Sequence, residues 1–224
     1  MNLEINKYHL IDVLDGLKTI ENESTDIIII DPPYNIGKDY GVFKDNLPKG
    51  EYEKWMMDIA TEAQRVSKRG VLVYVGGKLT NLFGKILPDS HLIIVEKRAA
   101  GVFSGNYMLQ YHSMFSTAPP LIKCKDLWDD VRLPGEGYYF REERFDHPGL
   151  TGLEFTTKVL LYFSEEGDTI LDPFLGCGTT GVAAIRTGRK IIGTEINPVY
   201  FNDAKARIEK EMQQGKLKTW GLLD

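Results

Sequence analysis

Two kinds of apolar pattern alternate along this chain. Ile27-Ile28-Ile29-Ile30 and Val71-Leu72-Val73-Tyr74-Val75 are short, unbroken and rich in β-branched residues, so they read as strands buried on both faces. Between them Tyr52, Trp55, Met56, Ile59, Ala60 and Ala63 recur at helical spacing and predict a helix with one core-facing stripe. The rhythm continues with a helix from Lys78 to Leu87 stopped by Pro88, then a strand from His91 to Lys97. Phe155, Val159, Leu160 and Phe163 form another helical stripe, followed by a strand opening at Thr169, a helix through Val182 to Ile185 and a strand from Lys190 to Thr194. Asn197 and Pro198 are a cap and first-turn pair for a last helix running to about Gln213. Strands alternating with helices predict an α/β fold with a doubly wound, mostly parallel sheet. The stretch 101–146 breaks the pattern: it is rich in Tyr, Phe, Gly and Pro and has no sustained period.

Composition permits this reading without sharpening it. A length of 224 residues suits one domain spanning 1–224, and 42% hydrophobic with 26% charged residues is ordinary for a globular protein. The N-terminus has no basic segment followed by an apolar core, and no apolar run approaches membrane-spanning length, so a cytoplasmic protein with no membrane partner is expected. Cys124 and Cys177 make no disulfide framework, and the four histidines show no metal-ligand spacing, so no metal is expected. A net charge of −5 opposes a generally basic nucleic-acid binder, although phosphate contacts need only a local cationic face.

Chemistry concentrates at two junctions. Asp31-Pro32-Pro33-Tyr34 directly follows the Ile27–Ile30 run, which puts Asp31 at the carboxyl end of a parallel strand, where open α/β sheets bind ligands. The prolines lack an N–H, so a carboxylate beside stiffly held carbonyls is an acceptor-only site suited to an –NH2 group, and Tyr34 adds a flat face for a planar base. The second junction is Asp172-Pro173-Phe174-Leu175-Gly176-Cys177-Gly178-Thr179-Thr180-Gly181, read as a strand end, a glycine turn and a helix start. The next strand ends in Glu195, placed to accept from the ribose of an adenosine-containing cofactor. Only one helix follows Glu195, so the second half of a dinucleotide fold is lacking there. Asp172 also favours a cationic ligand over a pyrophosphate.

Together, Asp31-Pro32-Pro33-Tyr34-Asn35-Ile36-Gly37 and Asp172 to Thr180 resemble the S-adenosylmethionine (SAM)-dependent amino-methyltransferases of DNA, in the circularly permuted class with the catalytic motif first. The resemblance covers most of the chain. His9-Leu10-Ile11-Asp12, before helix-like Val13 to Ile20, is similar to a family strand-end acid; Glu195 to Tyr200 resembles the ribose-binding segment; His147-Pro148 resembles the region before the cofactor strand. Where family members carry Thr-Gln-Lys-Pro after His-Pro, this chain has Gly149-Leu150-Thr151-Gly152. The resemblance implies catalytic roles for Asp31, Pro32, Pro33 and Tyr34. It implies SAM binding by Asp12, Asp31, Asp172, Pro173, Phe174, Gly176, Cys177, Gly178, Thr179, Thr180, Glu195 and Asn197, and a target-recognition insertion at 101–146. The implied partner is double-stranded DNA, bound by a monomer or homodimer.

The implied chemistry is direct transfer to the N6 of a flipped-out adenine, with Asp31 and the Pro32 carbonyl accepting the amine N–H groups. N4 of cytosine is the rival, and Asp at the head of the motif favours adenine. Carbon-5 methylation needs a thiolate nucleophile, and neither cysteine has a base partner in the sequence. A nicotinamide oxidoreductase would account for the glycines but not for Asp31-Pro32-Pro33-Tyr34. A non-catalytic DNA-binding protein would not need both motifs.

Overall fold

The computed structural model describes residues 7–76, 79–96, 102–104, 107–109, 111–129 and 152–214. In chain order the elements are β1 (Lys7–Leu10), α1 (Val13–Lys18), β2 (Ile27–Ile30), α2 (Lys49–Val66), β3 (Val71–Val75), α3 (Thr80–Ile86), β4 (His91–Glu96), β5 (Val102–Ser104), β6 (Tyr107–Leu109), β7 (Tyr111–Ser116) and β8 (Leu127–Trp128). They continue with α4 (Leu153–Phe163), β9 (Thr169–Asp172), α5 (Thr179–Arg186), β10 (Lys190–Glu195) and α6 (Pro198–Gln214).

Eight strands form one sheet in the order β1-β10-β9-β2-β3-β7-β4-β8, and β5 pairs with β6 in a separate ribbon. Every neighbouring pair in the large sheet is parallel except those made by β7, which runs against both β3 and β4. The unbroken isoleucine run is buried on both faces because each face is roofed by helices. Ile28 and Ile30 point into a core shared with Leu17 of α1, Met56 and Ile59 of α2 and Phe83 of α3. Ile27 and Ile29 point the other way, into a core with Phe155, Val159 and Leu160 of α4 and Ala183 and Ala184 of α5. At about 1.5–3 kcal/mol for each fully buried isoleucine, this strand is a main anchor of the domain.

The expected doubly wound, mostly parallel α/β sheet is present. The helical stripe over Tyr52 to Ala63 is α2, and Phe155, Val159, Leu160 and Phe163 are the buried side of α4. The main element that the pattern did not reveal is β7, inside the 101–146 stretch. Its buried positions are Ser113, Met114, Phe115 and Ser116, so half of them are polar and no apolar run is visible. Both serines have partners: Ser116 donates to the Ala118 carbonyl at 2.7 Å and Ser113 shares a 3.2 Å hydrogen bond with Thr80, 33 positions away in sequence. Residues 130–146 of the expected recognition insertion, and His147 to Thr151, lie outside the described residues.

Candidate active site

Chain direction determines where a site can form. From β2 the chain passes to β3 on one side, and from β9 to β10 on the other, so the winding reverses between β2 and β9. These two strands pair through Ile27 with Ile170 and Ile28 with Leu171. Where winding reverses, the flanking connections diverge and a crevice opens outside the carboxyl ends of the strands. Asp31 lies just past the end of β2 and Asp172 ends β9. The two motifs, 141 positions apart in sequence, therefore meet at the crevice. Glu195 ends β10, and Asp12 follows β1, whose Leu10 is in register with Glu195. Four consecutive strands thus each bring a carboxylate to one edge of the sheet.

These carboxylates are held differently. Asp172 is 3% exposed and accepts from the Phe174 N–H at 2.9 Å. Burial pushes its carboxyl up to about 7; bonds from Thr180 and Phe174 oppose the shift, and the charges of Asp31 and Glu195 add to it. Glu195 is also raised by burial, against the backbone N–H groups that it accepts. Its Oε2 takes the Gly176 N–H and its Oε1 the Asn197 N–H, both at 2.8 Å. The acid expected to meet a ribose therefore also ties the glycine turn to the start of α6. The Ile196 N–H bonds to the carboxylate as well, which leaves about one of its roughly four lone-pair sites for a further donor. Asp12 caps α1 through the Leu14 N–H at 2.9 Å.

Within the turn the glycines have separate tasks. Gly176 and Gly178 adopt φ of +52° and +83°, conformations that side chains rarely tolerate. A Cβ on Gly178 would lie 3.0 Å from Ala204 Cα, and one on Gly181 only 2.2 Å from Ile208 Cδ1. Gly178 and Gly181 therefore let α5 approach α6. Pro173 is pinned through its carbonyl, which accepts from Thr194 Oγ1 at 2.8 Å. Cys177, Thr179 and Thr180 are buried, and Arg207 donates to the Cys177 carbonyl and Thr179 Oγ1, each at 3.2 Å. Asn197 caps α6 by accepting from the Val199 N–H at 2.8 Å.

In the other motif the Tyr34 hydroxyl donates to Asp31 Oδ1 at 2.8 Å. Burial, together with the Asp31 charge, pushes the Tyr34 phenol well above its ordinary range. The ring lies against Gly76 at the end of β3, where an added Cβ would stand 3.3 Å from Tyr34 Cδ2. Beyond the motif the backbone turns through Asn35 at φ +55° and Gly37 at φ +80°.

Three contributors escaped the sequence pattern. Tyr52 is core, as its helical spacing implies, but its hydroxyl also donates to the Pro33 carbonyl at 2.9 Å. Asp45 is 2% exposed and accepts from the N–H groups of Asn35, Ile36 and Lys38 at 2.6, 3.1 and 3.0 Å. A lone acid in a polar loop has no periodic signature, so nothing in the sequence marked it. The same loop reaches the other motif, since Asn197 Nδ2 donates to the Tyr40 carbonyl at 2.8 Å. Trp55, read as a core residue, stacks on Phe43 with centroids 5.0 Å apart and meets the edge of Phe174 at 5.8 Å.

Burial raises both thiols, Cys124 and Cys177, away from the thiolate form. Among the described residues no group of three or more His, Cys, Asp or Glu could hold a metal ion, and no helix is long and apolar enough to cross a membrane.

The model of a family described as DNA methylase, of the N6 and N4 methyltransferases, matches residues 25–116 and 96–206, which include both motifs. The chain belongs to this DNA methylase family. Among curated relatives, the type II methyltransferase M.HpaI of Haemophilus parainfluenzae is 28% identical over 240 residues, covering 89% of this chain and 73% of M.HpaI. The DNA adenine methyltransferase YhdJ of Escherichia coli K12 is 27% identical over 239 residues, covering 88% of this chain and 81% of YhdJ. Among solved structures, the cytosine-N4-specific PvuII DNA methyltransferase aligns with a TM-score of 0.71 at 15% identity, covering 95% of this chain and 92% of that one. The M1.HpyAVI–SAM complex aligns at 0.66 and 17% identity, covering 93% and 99%. At such identities the structural likeness speaks to the fold, and the methylase fold is what these neighbours share with the chain.

Proposed function

We propose that this DNA methylase transfers the methyl group of SAM to the exocyclic N6 of an adenine flipped out of double-stranded DNA. The observation that carries the reading is the meeting of Asp31 and Asp172 at the winding reversal between β2 and β9. One motif supplies an acceptor for an amine, and the other a buried acid beside a glycine turn.

The residues present fit SAM. Its sulfonium and ammonium are cations, and the edge of the sheet offers Asp172, whose raised carboxyl is relieved by a nearby positive charge. Asp12, Asp172 to Phe174, Gly176 to Thr180, Glu195 and Asn197 would hold it. When bound, SAM supplies an activated methyl carbon that a lone pair can attack. Asp31 and the Pro32 carbonyl would accept the two amine N–H groups, drawing the nitrogen lone pair out of conjugation and aiming it. As the N–C bond forms the methyl–sulfur bond breaks, S-adenosylhomocysteine is the leaving group, and the nitrogen sheds one of its two protons to the acceptor side of the site. Tyr52 takes the Pro33 carbonyl and not that of Pro32, which the amine requires. Tyr34 offers its ring to an extruded base, which must leave the stack to be reached. Orientation and fixed dipoles then supply most of the acceleration, with no covalent intermediate.

Adenine is favoured over cytosine by Asp31 at the head of the motif and by a curated relative named as a DNA adenine methyltransferase. The cytosine-N4-specific structural neighbour supports the same chemistry on the rival base. Nucleoside mass spectrometry of adenine- and cytosine-containing DNA incubated with protein and SAM is the test. N6-methyladenine is the expected product. N4-methylcytosine alone would overturn the base assignment, and 5-methylcytosine would overturn the mechanism.

A further inference from the structure

The Asp31-Pro32-Pro33 segment lies beyond the end of β2, and its two prolines have no N–H with which to join a ladder. Two tyrosine hydroxyls grip it instead. Tyr34 donates to Asp31 Oδ1 at 2.8 Å, and Tyr52 donates to the Pro33 carbonyl at 2.9 Å. They come from different places. Tyr34 turns back from within the motif, with its ring against the Gly76 backbone, so the hydroxyl is kept against the carboxylate. Tyr52 reaches in from α2 and is only 2% exposed, with Trp55 beside it at a centroid distance of 6.0 Å. One bond sets the orientation of the carboxylate; the other sets the peptide plane after Pro33. Just downstream, the grip of Asp45 on the Asn35, Ile36 and Lys38 N–H groups stops the chain from slipping.

Packing alone does not call for these hydroxyls. Phenylalanine would give Tyr34 the same flat face and Tyr52 the same core volume. We propose that the Tyr34 and Tyr52 hydroxyls are positioning groups for methyl transfer, orienting the Asp31 carboxylate and the proline carbonyls toward the incoming amine. The proposal rests on the methyl-transfer reading of the site and adds to it two groups that act through their neighbours. A base stacked on Tyr34 would use the ring, whereas this role uses the oxygen.

The test compares Tyr34→Phe and Tyr52→Phe with wild type in single-turnover transfer from labelled SAM to unmethylated genomic DNA. S-adenosylhomocysteine affinity by calorimetry reports fold and cofactor site together. Expected is a fall in the transfer rate of about tenfold or more in Tyr34→Phe, which loses a charge-assisted bond to Asp31, and of about threefold or more in Tyr52→Phe, which loses a neutral bond to the Pro33 carbonyl, with cofactor affinity within about twofold of wild type in both. A merely structural role would lower the melting temperature and leave the rate of the folded protein unchanged. Rates within about twofold of wild type in both variants would overturn the proposal. If Tyr52→Phe does not fold, Tyr34→Phe decides by the same criterion. A wild-type protein that binds the cofactor but methylates no DNA would overturn the functional reading itself, and the positioning role with it.

Discussion

Replacing Asp172 with Asn probes the least comfortable charge in the site. The wild-type carboxyl titrates at about 7, chiefly because it is buried. In an unfolded chain an aspartate titrates near ~3.9. Between those values the folded protein holds a proton that the unfolded chain has released, so Asp172 lowers stability as pH rises from about 4 to about 7. Three pH units correspond to at most about 4 kcal/mol, and relaxation around the charge brings the expected effect to about 2–3 kcal/mol. Asn keeps the acceptor used by the Phe174 N–H and removes the titration. In denaturant melts the variant should therefore exceed wild type by about 2–3 kcal/mol at pH 8, with the gap closing to within about 1 kcal/mol at pH 5. Ligand binding should show the opposite preference. A cation favours ionised Asp172, so wild type should bind SAM more tightly as pH rises from 6 to 8 and release a proton at pH 6, measurable by calorimetry in buffers of different ionisation enthalpy. The Asn variant sees the same titration of the ligand itself, so the difference between proteins isolates Asp172. S-adenosylhomocysteine lacks the sulfonium charge and should show a shallower trend. Parallel pH profiles for wild type and variant, in both stability and SAM affinity, would refute the argument.

Asp31→Ala should keep the fold and S-adenosylhomocysteine binding but raise the activation free energy of transfer by at least about 2–4 kcal/mol; turnover within tenfold of wild type would remove Asp31 from the chemistry. Asp45→Ala leaves three N–H groups of the 35–38 turn without their acceptor, so it should cost about 2–4 kcal/mol in denaturant melts and slow transfer more than it weakens cofactor binding. Unchanged activity would show that the turn is not needed to hold the motif. Gly181→Ala places a methyl carbon 2.2 Å from Ile208 Cδ1 and 2.8 Å from its Cγ1, so the Ile208 side chain or α6 must shift and stability should fall by about 1–3 kcal/mol by thermal melt; a neutral result would mean that the Ile208 side chain swings aside without loss.

Much of this architecture was legible in the residues because its signals are local. Four consecutive isoleucines can be hidden on both faces only in a covered sheet, and the stripe through Tyr52, Met56, Ile59 and Ala63 has a period that suits only a helix. Prolines and glycines announce strand ends and tight turns by what their backbones permit, so both motifs could be placed on the carboxyl side of strands. What the sequence could not determine depends on elements distant along the chain. Strand β7 was hidden because half of its buried positions are serines, and Ser113 finds its partner, Thr80, only once the chain folds. Asp45 and the hydroxyl of Tyr52 gained their roles from backbone groups 7–10 and 19 positions away, beyond the reach of any periodic pattern. Gly178, read as a cofactor contact, and Gly181, read as part of the glycine turn, also prove to be the places where α5 touches α6. The chain alone placed an acid at the end of each of two strands and a proline or glycine turn after it. Tertiary structure decided that they meet, because only the reversed winding between β2 and β9 sets Asp31 beside Asp172 and makes the charge of one felt by the other.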